Sequence, residues 1–136
     1  MNKEQFKLLK KASLFTKMSI NFTATDSEYD EIHETLCNIT YKLQGTMYEK
    51  IVDFSRVIIT RVIMYNNSDE YDYIAEAIAN VLDLLSEDRV DHAIQITEQL
   101  LQKMTLQVET DPNIYYADLR KLEQIRDELR NLIKSQ

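Results

Sequence analysis

The chain has 136 residues, 29% of them charged, with a formal net charge of −7 and a single Gly, Pro and Cys. That length suits one domain able to bury a core without staples. One Gly and one Pro supply too few turn residues for an all-β fold, so the sequence predicts helices.

Cys37 has no partner for an internal disulfide, and MNKEQFKLLKK at the start lacks the apolar core of a secretory signal. The longest strongly apolar run, VIIT at 57–60, is far too short to cross a bilayer. A cytoplasmic protein without a transmembrane segment is expected. The Asn-, Ile-, Lys- and Tyr-rich composition without Trp suits an AT-rich bacterial or phage genome.

Charge is unevenly placed. Residues 1–17 hold five lysines against one glutamate, and residues 66–99 hold nine acids against one arginine. Direct nucleic-acid binding needs a basic face, which only 1–17 offers.

In chain order, residues 3–18 form a basic amphipathic helix. Leu8, Leu9, Ala12 and Phe15 fall on one side, and Lys3, Lys7, Lys10 and Lys17 on the other. The lysines are expected to be solvated or to face acidic helices; an anionic membrane or nucleic acid is the alternative contact. Residues 18–25, MSINFTAT, alternate with period two, a brief strand signal that serves equally as an extended connector over 18–26 carrying Ile20 and Phe22 inward.

Asp26 or Ser27 caps a helix whose first turn is acidic. Tyr29, Ile32, Leu36, Ile39 and Leu43 recur at helical spacing, and Met47, Ile51, Phe54, Ile58 and Tyr65 continue the phase beyond Gly45. A long central helix over 27–65, straight or bent at Gly45, is therefore expected, with two helices hinged at Gly45 as the alternative. VIITRVIM has strand propensity, but Glu49, Asp53, Arg56 and Thr60 make a helical polar strip, with Asp53 and Arg56 spaced to pair. So narrow a strip requires cover from several neighbours or from another subunit.

NNSD at 66–69 reads as a turn and cap, and 69–108 as an antiparallel αα-hairpin turning at SED, 86–88, with caps of its own. Tyr71, Ile74, Ile78, Val81, Leu82 and Leu85 face Val90, Ala93, Ile94, Thr97, Leu101 and Met104. Asp111–Pro112 signals a last helix, with Tyr115, Leu119, Leu122, Ile125, Leu129 and Leu132 inward. The whole is an all-α bundle of four or five helices in one domain, 1–136. A homodimer could form through 51–65 or 115–132.

No pattern carries chemistry. Asp30, His33 and Cys37 share a helix flank, but three metal ligands without a fourth fit a half-buried flank better. His92 sits among Gln95, Gln99 and Lys103 on a polar face. There is no Glu-x-x-His pair for a di-metal bundle, and Arg89 lies too close to His92 for a HEPN-type ribonuclease. One glycine excludes phosphate loops and nucleophile elbows. Pyrophosphatases of the MazG type converge Glu-x-x-Glu and Glu-x-x-Asp carboxylates on magnesium. Here Glu28-x-x-Glu31 and Glu31-x-x-Glu34 supply the first half, and only Glu49-x-x-x-Asp53 the second. Neither catalytic residues nor a cofactor or metal is expected.

Three features remain as contacts for another protein. One is the acidic stripe Asp69, Asp72, Glu76, Asp83, Glu87, Asp88 and Asp91; the second is the lysine face of 3–17. The third is Arg61, which points into the apolar arc and calls for a carboxylate partner, a route to water, or an anchoring role. The expected function is non-enzymatic: a regulatory protein–protein interaction through helical surfaces. One alternative is an acidic inhibitor that mimics nucleic acid in a basic groove. The other is a magnesium-dependent helical nucleotide pyrophosphatase.

Overall fold

The computed structural model describes residues 2–20, 26–64, 69–110 and 114–134, and the described residues form helices and turns with no strand. The helices are α1 (Lys3–Ile20), α2 (Asp26–Lys42), α3 (Met47–Met64), α4 (Asp69–Ser86), α5 (Val90–Val108) and α6 (Tyr116–Lys134). The all-α bundle and its α4–α5 hairpin are as the sequence predicts, with six helices rather than four or five.

The helices make two four-membered rings that share the α3–α4 wall. α3, α4, α5 and α6 close one ring, and α1, α2, α3 and α4 the other, with α1 also touching α3 across it. Paired residues fix the directions. Tyr29 Oη lies 3.1 Å from Thr60 Oγ1, and one turn further along α2 His33 meets Arg56, so α2 and α3 are antiparallel. Lys10 with Asp83 and Ser13 with Ala79 set α1 against α4 in the same sense. Lys50 with Glu128 and Arg61 with Asp118 do so for α3 and α6.

The shared wall explains why α3 is apolar on most sides. Ile51, Val52, Phe54, Ile58 and Ile59 are buried, covered by α1, α2, α4 and α6 of the same chain. In α6, Leu119, Leu122, Ile125 and Leu129 are buried likewise. In the two stretches that suggested a dimer contact, 51–65 and 115–132, these residues are covered within one chain, while Val62, Ile63 and Leu132 are half-buried and Tyr115 is exposed. Each fully buried side chain contributes roughly 1.5–3 kcal/mol.

The expected continuous helix over 27–65 is replaced by an αα-hairpin. α2 ends at Lys42, and Gly45 adopts φ +84°, the left-handed conformation that a helix interior excludes. Thr46-Met47-Tyr48-Glu49 then restarts the chain as a capping-box variant: the Glu49 carboxylate accepts from the Gly45 N–H at 3.0 Å, and the Thr46 hydroxyl donates to the Leu43 carbonyl at 2.7 Å. Apolar phase runs through the turn because both helices pack on one core.

The α4–α5 turn is a Schellman motif. Asp88 holds φ 59°; its N–H donates to Leu85 O at 3.1 Å, and the Arg89 N–H to Leu84 O at 2.9 Å. α5 lacks the expected side-chain cap, since Arg89 occupies its N-cap.

α1 extends two residues past the expected boundary and takes Met18–Ile20 out of the connector. Its docking face keeps Leu9 and Ala12 as expected but is rotated away from Leu8 and Phe15. Leu9, Ala12, Ser13, Thr16 and Ser19 are buried, while Leu8 and Phe15 are half-buried. Close approach to α4 selects these small residues: the Ser13 hydroxyl donates to the Ala79 carbonyl at 2.7 Å, beside buried Ala75. Thr16 and Ser19 satisfy their hydroxyls on α1 itself, donating to Ala12 O and Thr16 O. The readings placed on 21–25, on Tyr65 and 66–68, and on Asp111–Pro112 lie outside the described residues. No helix among the described residues is long and apolar enough to cross a membrane.

Candidate functional site

Arg61 on α3 pairs with Asp118 on α6, a carboxylate only 1% exposed. Its Nε donates to Asp118 Oδ2 at 3.2 Å, and its guanidinium stacks over the Tyr115 ring at 4.3 Å. The Tyr71 hydroxyl of α4 donates to the same oxygen at 3.0 Å and accepts from the Tyr115 N–H at 3.2 Å. The hydrogen bond to Asp118 raises the Arg61 pKa, and burial, reinforced by the Asp118 charge, pushes the Tyr71 phenol above its ordinary value. Every strong group here is turned on another, so the cluster staples three helices. Asp118 lies four residues before Leu122 and seven before Ile125, on the stripe itself; an acid in that phase is the sequence sign of a buried pair.

His33 and Cys37 form a second cluster on the α2–α3 seam. Arg56 donates to His33 Nε2 at 3.2 Å and to Asp53 Oδ1 at 2.9 Å. Arginine only donates, so the imidazole proton resides on Nδ1, 3.8 Å from Cys37 Sγ. Asp30 is exposed, and no group of three or more His, Cys, Asp or Glu among the described residues could hold a metal. The Glu28, Glu31 and Glu34 side chains face outward on α2, while Glu49 caps α3 and Asp53 holds Arg56, so these carboxylates do not converge.

The acidic stripe and the lysine face partly answer each other. Asp83 is bonded by Lys10 of α1, a contact that raises the lysine pKa, and Glu87 pairs with Arg89. Glu76, Asp88 and Asp91 are exposed, Asp72 is half-buried, and the Asp69 side chain lies outside the described set. Lys3 and Lys7 are exposed; Lys17 is half-buried. Basic α1 packs beside acidic α2 and α4, so much of the charge asymmetry is resolved within the fold.

A surface with the shape of a binding site lies elsewhere, on the edge of the α3–α4–α5–α6 ring opposite the shared wall. A cavity of about 600 Å³ opens between α5 and α6. Leu101, Gln102, Thr105 and Leu106 line it from α5, and Arg126 and Arg130 from α6, with Glu98 at one end. Leu106 is 72% exposed, whereas Leu101 at the floor is 5% exposed. Arg130 spans the groove to Glu98, its Nε donating at 3.1 Å, and Arg126 donates to the neighbouring Asp127 at 3.1 Å. Both are exposed ion pairs, worth roughly 0–1 kcal/mol and readily exchanged.

Antiparallel register places the last turns of α5 beside the middle of α6, where Thr105 and Gln102 leave space a larger apolar pair would fill. Of the groove residues only Leu101 stands on an apolar stripe in the sequence. Leu106 gives a sign: it lies on the side of α5 away from Val90, Ala93, Thr97 and Met104, where only polar residues are expected. The i, i+4 spacing of Arg126 and Arg130 gives another, although on a charged helix it resembles an ordinary solvated face. Comparison with protein-family models, with curated proteins and with solved structures gives no match to this chain.

Proposed function

We propose that the protein is a non-enzymatic, cytoplasmic regulatory protein that binds another protein through the α5–α6 groove. The supporting observation is the coincidence at one place of a 72% exposed leucine, a cavity of about 600 Å³ and two arginines one turn apart. Interface centres are enriched in arginine and lie in concave, desolvated pockets. The volume falls within the roughly 300–1,000 Å³ of ligand pockets, but the open, elongated floor between two helices suits a side of a protein better than an enclosed small molecule.

The test is affinity capture from extract of the native host, comparing the wild-type chain with Leu106→Glu. This variant sits on the surface and leaves the core intact. A protein enriched by the wild type and lost with the variant supports the reading; recovery of the same proteins by both overturns it.

A further inference from the structure

We propose that the occupant of the α5–α6 groove is an acidic amphipathic helix, laid along the groove with its apolar side chains against Leu101 and Leu106 and its carboxylates on Arg126 and Arg130. The proposal rests on the protein-binding reading above and names the partner's chemistry. Two antiparallel helices separated by a groove are already two sides of a three-helix packing, and a third helix seats its ridge of i, i+4 side chains between them. From Glu98 to Leu106 the floor runs eight residues of α5, about 12 Å, or roughly two helical turns. That length accepts two or three apolar anchors from one partner stripe.

Charge selects the sign. The protein carries −7 overall, yet the groove is lined by two arginines and one glutamate. No residue of the strongly acidic helices α2 and α4 lines the groove; α4 meets α6 at Tyr71–Asp118, about two turns before Arg126. An acidic partner therefore meets arginines at the groove and is repelled from the acidic α2 and α4, which fixes where it docks. A flat anionic surface, such as a membrane, gains less, since a two-turn groove is too narrow for it. Carboxylates of the incoming helix replace Asp127 on Arg126 and compete with Glu98 for Arg130, trading exposed pairs for partly desolvated, bidentate ones.

The test uses the full chain and a synthetic helix of roughly 18 residues, with leucines on one stripe and glutamates flanking it, titrated by calorimetry at two salt concentrations. A matched peptide carries lysines in place of the glutamates. The glutamate peptide should bind about tenfold or more tighter than the lysine peptide, and weaken as salt rises. Leu106→Glu should weaken it by a similar factor, and Arg126→Glu with Arg130→Glu should reverse the preference in favour of the lysine peptide. Equal affinity for both peptides, no binding of either, or indifference to the arginine reversal overturns the proposal.

So does a groove occupied by a second copy, seen as a concentration-dependent rise in mass by light scattering that Leu106→Glu abolishes. If host capture remains dependent on Leu106 while the peptides show no charge preference, the acidic helix is wrong and the protein-binding groove stands. If host capture is also indifferent to Leu106, both fail.

Discussion

Tyr71 of α4 and Asp118 of α6 meet at 3.0 Å inside the protein, the phenol donating to the carboxylate oxygen that also accepts from Arg61 Nε. This buried junction is where α3, α4 and α6 are fixed to one another. It holds the α6 N-terminal half in place and, through α6, one wall of the groove.

Removing the carboxylate leaves a guanidinium and a phenol without their acceptor. Asp118→Ala should cost about 2–3 kcal/mol, toward the low end for a broken buried pair because Arg61 keeps some access to water. Tyr71→Phe should cost about 1 kcal/mol. Thermal unfolding monitored by circular dichroism checks both, with the Asp118 variant melting on the order of 10 °C below wild type.

The same junction sets an alkaline limit. Burial raises the Tyr71 pKa in the folded protein, with the Asp118 charge adding to it, while the unfolded phenol keeps its ordinary value near 10. A raised folded value means stability is fully present below pH 10 and is lost as pH rises above it, when the unfolded chain releases the proton first. Tyr48, raised by burial and by Asp88, and Lys10, raised by its bond to Asp83, act in the same direction. Denaturant midpoints between pH 8 and 11 should fall beyond pH 10, and Tyr71→Phe should make that fall shallower. An unchanged slope would remove Tyr71 from the explanation.

Gly45 separates two architectures. In a continuous helix over 27–65, Gly45→Ala would stabilise by about 1 kcal/mol. In the hairpin, φ is +84° while an added Cβ meets nothing within 4 Å, so the cost is purely conformational and destabilises by about 1–2 kcal/mol. The sign of the change in melting temperature decides.

Asp88 offers the converse. It is the left-handed residue of the α4–α5 Schellman turn at φ 59°, where glycine is unstrained. Asp88→Gly should stabilise by about 0.5–1 kcal/mol, read as a higher denaturant midpoint at unchanged slope.

These two turns show how much of the fold was legible. Helical class, the 69–108 hairpin and the inward stripes of α2 to α6 follow from apolar period, which burial enforces directly. Period failed at Gly45, because two antiparallel helices on one core keep the same phase that a single helix would. The signal that could have broken the tie, Thr46 with Glu49 behind a glycine, was local capping chemistry. In α1 the largest apolar residues misled, since close approach at Ala79 favoured Ser13 and Thr16 over Leu8 and Phe15. The groove was the least legible part. It arises from space between two helices, a property of register and side-chain volume, and Leu106 is its clearest sign in the sequence.

The acidic stripe provides a control for the proposed function. Glu76→Gln, Glu87→Gln and Asp91→Asn together remove three exposed charges while leaving Lys10–Asp83 in place. Partner capture through the groove should survive this triple variant. Its loss, with helicity intact, would move the contact to the acidic stripe that runs from α4 through the α4–α5 turn to Asp91, and favour the nucleic-acid-mimic alternative.

Hydrogen–deuterium exchange of the chain with and without its captured partner tests the central claim most directly, because it shows which face is covered. The groove reading predicts slowed exchange along Glu98–Leu106 and around Arg126–Arg130, with α1 and the outer turns of α2 unchanged. Protection confined to α1, to α2 or to the acidic side of α4, with α5 and α6 exchanging as in the free protein, would contradict it.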